Sequence, residues 1–191
     1  MLPATVPLFP LPDAVLFPNG SRPLVIYEPR YLAMVTDALK GDRIIGMVTL
    51  QSGHEAEYEG RPPIHAIGCA GRISEVERLP DGRYTLVLRG LTRFRVLSED
   101  QSRRYRVGRI EVVPEAERSD DSANLRADRK RLETILSTQG IEVSARTSND
   151  EEMVDALAQY VEMPPERRQE LLELGNAAQR ARALIDLLVT R

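Results

Sequence analysis

Lysine, cysteine and long apolar runs are what this chain of 191 residues has least of. Only Lys40 and Lys130 are lysines among 26 basic residues, so positive charge is carried almost wholly by arginine. A single cysteine, Cys69, excludes a disulfide framework within the chain and cannot by itself make a zinc site. The core therefore has to be held by packing, and a reducing cytoplasm is the expected compartment. No basic residue precedes Arg22, and Pro7, Pro10 and Pro12 break the first apolar stretch, so the amino terminus lacks the layout of an export signal. Runs such as 14–17 and 24–27 fall far short of the ~20 apolar residues that cross a bilayer as a helix, and no membrane partner is expected. A formal charge of −3 rules out a uniformly cationic coat, though not a local basic patch.

What is present is enough apolar material, 42% of the residues, for one sizeable domain or two small ones. Up to residue 114 the sequence reads mostly as strands and turns. Residues 6–9, 14–17 and 24–27 are short apolar runs bounded by prolines, each a candidate strand or edge segment. Pro29 then suits the first turn of a helix, and Leu32, Val35 and Leu39 recur at helical spacing before Gly41. Residues 44–50 form a compact strand-length run, followed by a polar loop over 51–63. Tyr84, Leu86 and Leu88 alternate with polar neighbours after the turn Pro80-Asp81-Gly82, and Phe94 and Val96 alternate with Arg93 and Arg95. Tyr105 and Val107 fall in one phase and Ile110 and Val112 in the other, which a bulge near Gly108 would reconcile.

The acid-rich segment 115–122 is the expected linker between a β subdomain, 1–114, and a helical subdomain, 123–191. In the latter, Leu125, Leu132 and Leu136 mark one helix face. Asn149 announces a second helix that turns Val154, Leu157 and Val161 inward. Pro164-Pro165 ends it, a short helix runs to Leu174, and Asn176 caps a last one with Ala177, Ala181, Leu184 and Leu188 on one face.

The run Pro7-Leu8-Phe9-Pro10-Leu11-Pro12, then Leu16-Phe17-Pro18 and Pro23-Leu24-Val25-Ile26-Tyr27-Glu28-Pro29-Arg30-Tyr31, closely resembles the opening of the N-terminal domain of Lon proteases. The likeness continues through Ile44-Ile45-Gly46-Met47-Val48, Ile67-Gly68-Cys69-Ala70-Gly71-Arg72-Ile73, Leu79-Pro80-Asp81-Gly82-Arg83-Tyr84 and Gly90-Leu91-Thr92-Arg93-Phe94-Arg95-Val96, and it reaches the helical end at Gln169-Glu170-Leu171-Leu172-Glu173 and Arg180-Ala181-Arg182. It implies an α+β fold: a bent, PUA-like β pseudobarrel with one inserted helix, followed by a small α-helical bundle. Ala14 and Tyr27 depart mildly from the family, which more often has Gly and Phe there. A Lon protease adds an ATPase and a Ser-Lys peptidase module, so the resemblance implies a free-standing, non-catalytic substrate-binding domain that needs no cofactor.

The residues offer little chemistry beside that. Gly41 and Gly46 have nucleotide-loop spacing, but Met47-Val48 stand where phosphate binding requires Lys and then Ser or Thr. His54, His65 and Cys69 are the potential metal ligands, and nothing in their spacing demands convergence. Two binding surfaces remain open. The first is a groove for unfolded or degron-bearing polypeptides, or for a protein partner, bordered by Leu11, Phe17, Tyr27, Glu28, Arg30 and Tyr31. Its plainer alternative is that Glu28, Arg30 and Tyr31 are a capping and salt-bridge cluster. The second is an RNA-binding surface in the arginine-rich stretch 72–109, where ten arginines face five acids. There Arg93, Arg95, Arg104 and Arg106 would touch phosphates while Phe94 and Tyr105 stack on bases. Its plainer alternative is that these arginines pair with the helical half, in which 111–173 carries sixteen acids against eight basic residues.

Overall fold

The computed structural model describes residues 2–116, 122–138 and 149–190. Residues 117–121 of the expected linker lie outside them. Strands β1 (Thr5–Leu11), β2 (Ser21–Ile26), β3 (Ile44–Thr49), β4 (Ile67–Arg78), β5 (Tyr84–Asp100) and β6 (Arg106–Val112) are interrupted once by helix α1 (Pro29–Lys40). Helices α2 (Ser122–Thr138), α3 (Asp150–Tyr160), α4 (Pro165–Glu173) and α5 (Ala177–Val189) follow, giving the α+β fold. No helix among the described residues is long and apolar enough to cross a membrane.

Strand β1 pairs in parallel with β3 and antiparallel with β6, and β3–β4, β4–β5 and β5–β6 are antiparallel, so the circuit closes into a barrel. The single parallel pair needs a crossover, which β2 and α1 supply. Strand β2 pairs only with the first half of β5 and stands at the edge. Strand β5 serves two neighbours in turn because bulges bend it. Leu91 is the extra residue opposite Ala70-Gly71, Ser74 is extra on β4, and Leu97 is extra opposite Ile110 and Arg109. All three point outward.

The barrel interior is a small core of Val6, Leu8, Ile44, Val48, Ala70, Phe94 and Ile110. The opposite faces of the same strands, with Ile45, Met47, Ile67, Cys69 and Ile73, belong to a larger core that continues into α1 and the helices through Leu125, Leu132, Val154, Leu172 and Leu184. Strand β3 is therefore buried at every residue, which is why it reads as a continuous apolar run.

Three expectations are corrected in detail. Residues 14–17 are buried but form no strand, because their backbone is satisfied by a side chain instead. Phe17 N donates to Gln159 Oε1 at 3.0 Å, and Gln159 Nε2 donates to the Val15 carbonyl at 3.0 Å. The bulge lies at Leu97, not near Gly108; Arg106, Gly108 and Ile110 all turn inward, and Gly108 leaves room for Leu8. In α1 the buried stripe is Tyr31, Met34, Val35 and Ala38, with Leu32 and Leu39 on its flanks. The bundle helices bury the expected faces. Asn149 caps α3 by accepting from Glu151 N, and Asn176 caps α5 by accepting from Gln179 N.

Candidate functional site

The segment around α1's start is a locked cluster. Pro29 opens the helix, and Glu28 stands at the N-cap without capping it. Its carboxylate instead pairs with Arg30 Nε at 3.0 Å and accepts from the Tyr58 hydroxyl at 3.1 Å. Arg30 lies 4.6 Å from the Tyr31 ring centroid and 4.9 Å from that of Tyr58, and it donates to the Tyr58, Glu59 and Gly60 carbonyls. One guanidinium thus ties the loop over 51–63 to the helix start. Burial pushes the Tyr31 and Tyr58 hydroxyls up from their ordinary pKa. Phe17 is fully buried and borders no surface groove, whereas Leu11 is partly buried against the core. Tyr27 is 65% exposed.

Tyr27 follows the outer face of β2. Pro23 and Val25 alternate with inward-turned neighbours, and Val25 is 52% exposed. Across the sheet, Pro23 sits opposite Val87 and Val25 opposite Thr85, which are in turn opposite Glu75 and Glu77 of β4. These residues line a shallow groove of about 580 Å³ with an apolar floor and an acidic border. Nothing in the alternation of β2 announces it, because a strand with one buried face normally keeps its other face polar.

The arginine-rich strands are divided between core and surface. Arg93, 2% exposed, is held by the helical half. Its guanidinium donates to the Leu172, Leu174 and Gly175 carbonyls at the end of α4, to the Pro114 carbonyl, and to Glu115 at 3.2 Å. Arg180 shares Glu115 at 3.1 Å and bonds buried Asp155 at 2.8 Å. Burial pushes Asp155 up to about 7 against the opposing pull of Arg180, and it lowers the pKa of Arg93. The start of the expected linker, at Glu115, is therefore an ionic joint between the halves. Phe94 fills the barrel. Arg106 is buried in a two-pronged pair with Glu99 at 2.6 and 2.7 Å, and Tyr105 is buried with its hydroxyl on Asp37 at 2.9 Å. Only Arg95 and Arg104 of the six proposed RNA contacts are exposed. The stacking rings are inside, so the surface expected for RNA is not assembled.

His65 faces Glu173 at 3.4 Å and His54 faces Glu57 at 3.2 Å. Cys69 is buried, and burial raises its thiol pKa. Among the described residues no three His, Cys, Asp or Glu are placed to hold a metal ion. Gly46 of the nucleotide-loop spacing is mid-strand against Phe94.

Comparison with known proteins agrees with this architecture. The family model of the ATP-dependent protease La (LON) substrate-binding domain matches residues 5–190. A Lon protease of Anaeromyxobacter dehalogenans is 30% identical over 98% of this chain, which spans 23% of that protein. A Lon protease 2 of Myxococcus xanthus is 29% identical over 98% of the chain, again covering 24% of the relative. Among solved structures, the N-terminal domain of Mycobacterium avium complex Lon protease superposes with a TM-score of 0.75 over 97% of this chain and 98% of that one, at 21% identity. The Lon N-terminal domain protein of Xanthomonas campestris gives 0.67 over 95% and 97%, at 24% identity. With a barrel, a helical half and a family match over nearly every residue, the chain belongs to the Lon substrate-binding domain family.

Proposed function

We propose that this domain is a receptor module that holds unfolded or degron-bearing polypeptides, or an extended segment of a protein partner, on the outer face of β2, β5 and β4. The observation that carries the reading is the strip of exposed Pro23 and Val25 and half-buried Val87 along the groove, with exposed Tyr27 just beyond the end of β2. Chains of unrelated sequence share apolar side chains and a peptide backbone, and this place offers a partner for both. Pro23 is tolerated because β2 is an edge strand. Of the six residues expected at a peptide groove, Tyr27 remains as a contact, while Glu28, Arg30 and Tyr31 act as the clamp that fixes α1 and its loop behind it.

The test is fluorescence anisotropy with a labelled, permanently unfolded protein. Saturable binding in the micromolar range is expected, weakened at least about tenfold by the double change Val25→Ser and Tyr27→Ser, which leaves the thermal transition within a few degrees of the parent because both side chains are exposed. Absence of saturable binding at tens of micromolar refutes the reading.

A further inference from the structure

A second cavity, of about 250 Å³, lies where the segment after α1's start, the loop near residue 60 and the entry to β6 meet. It brings together residues that the sequence separates by more than seventy positions: Arg30, Arg61, Arg104 and Arg106 at its walls, with Tyr31 and Tyr105 between them. Two of the four charges are already matched, Arg30 by Glu28 and Arg106 by Glu99. The other two are not. Arg61 has no carboxylate within bonding distance: it donates to the Gln101 and Arg103 carbonyls and feels Asp100 only through the longer-range field, and Arg104 has no hydrogen bond or ion pair among the described residues. Glu59 is the one acid among the lining residues. The wall keeps an excess of positive charge, presented as guanidinium groups whose planar fork suits an oxyanion with two equivalent oxygens.

We propose that this cavity is a carboxylate-binding pocket that takes the chain terminus or an acidic side chain of a bound polypeptide. The proposal rests on the polypeptide-receptor reading above and names the group that such a ligand would present. A carboxylate fits better than a phosphodiester strand for three reasons. Glu59 repels a polyanion, two of the arginines already have carboxylate partners, and the space holds roughly one charged group and one side chain against Pro10 and the tyrosine rings. The Tyr31 and Tyr105 rings give this space apolar walls beside the guanidinium groups.

The experiment compares three fluorescein-labelled Leu/Ser peptides of identical length: one ending in a free carboxylate, one ending in an amide, and one amide with an internal Asp. The free carboxylate is expected to bind about tenfold tighter than the amide, a margin that Arg104→Gln and Arg61→Gln each reduce and that salt weakens. Both residues are exposed, so the melting transition stays near that of the parent. If the internal Asp restores affinity, the pocket accepts acidic side chains; if it does not, the pocket reads the terminus. Equal binding of acid and amide, unchanged in the variants, overturns the pocket and leaves the receptor reading standing. If no peptide binds, the unfolded-protein assay above still decides the receptor reading, and an NMR titration with N-acetylleucine against N-acetylleucinamide decides the pocket alone. Shifts at Arg61, Arg104 and Tyr105 with the acid only retain it, and their absence removes it.

Discussion

Arg93 and Arg95 are neighbours on one strand with opposite environments, and replacing each by Met separates a structural ion from a surface one. Met keeps most of the aliphatic stem, so the change at Arg93 removes mainly charge and hydrogen bonds. What is lost is the Glu115 pair and donation to the four carbonyls of Pro114, Leu172, Leu174 and Gly175. Three of those carbonyls close the end of α4, where a cation also meets the negative end of the helix dipole. Glu115 is 38% exposed and keeps Arg180, so the loss lies mainly in the carbonyls left without a donor, at about 1–3 kcal/mol for each that stays buried, or about 3–5 kcal/mol in all. Relief of the repulsion between Arg93 and Arg180 offsets a part of this. At about 2–4 °C per kcal/mol for a chain of this size, Arg93→Met is expected to lower Tm by roughly 6–20 °C. Arg95→Met is expected to stay within about 0.5 kcal/mol of the parent. Urea denaturation followed by circular dichroism gives the free energies. Hydrogen exchange adds a local readout, since protection should fall first at the turn from α4 to α5. Equal stability of the two variants would refute the assignment of Arg93 as the joint between barrel and helices.

Two further outcomes follow from burial. Asp155 has a folded pKa of about 7 against about 3.9 in an unfolded chain, so between those values the native state keeps a proton that the unfolded state has released. Stability is therefore expected to rise as pH falls from 8 to 5, by up to about 1.4 kcal/mol per pH unit, and Asp155→Asn should remove that slope. The carboxyls with depressed values, Asp37, Asp81, Asp100 and Glu166, lose their contribution only below about pH 4.5, outside this window. Identical pH slopes in parent and variant would contradict the assignment. At Gly90 an added Cβ would come within 1.9 Å of the Phe17 carbonyl oxygen, where Asn19 N and Gly20 O already bond this residue's backbone. Gly90→Ala is expected to cost about 1–3 kcal/mol or more in a thermal melt. Gly41→Ala, whose nearest atom is 3.9 Å away, should be close to neutral, and a neutral Gly90→Ala would show that the Phe17 turn can yield.

Much of this architecture was legible in the chain. Proline at a helix start, Asn149 and Asn176 at helix caps, and apolar spacing at Leu125, Leu132 and Leu136 are local signals, and local geometry obeyed them. The candidate site was legible only in pieces. Tyr27 and the Glu28–Arg30 pair are visible because they are close in sequence, whereas Phe17, expected at the groove, is core. The groove floor needs β2, β5 and β4 side by side, and the arginine pocket needs residues 30, 61 and 104 in one place.

The sequence by itself determined most of the elements, their order and the family, because helix periodicity, turn chemistry and the proline-flanked opening act over a few residues at a time; residues 14–17, read as a strand, needed Gln159 from a distant helix to fix them. Only the tertiary structure decided which arginine is buried. Alternation places Arg93 and Arg95 on one face of β5 and Phe94 on the other, but it does not tell whether one or both faces are covered. In this fold both are, the barrel on one side and the helices over Arg93 on the other. Arg95, two residues further along the same face, lies beyond that cover and is exposed.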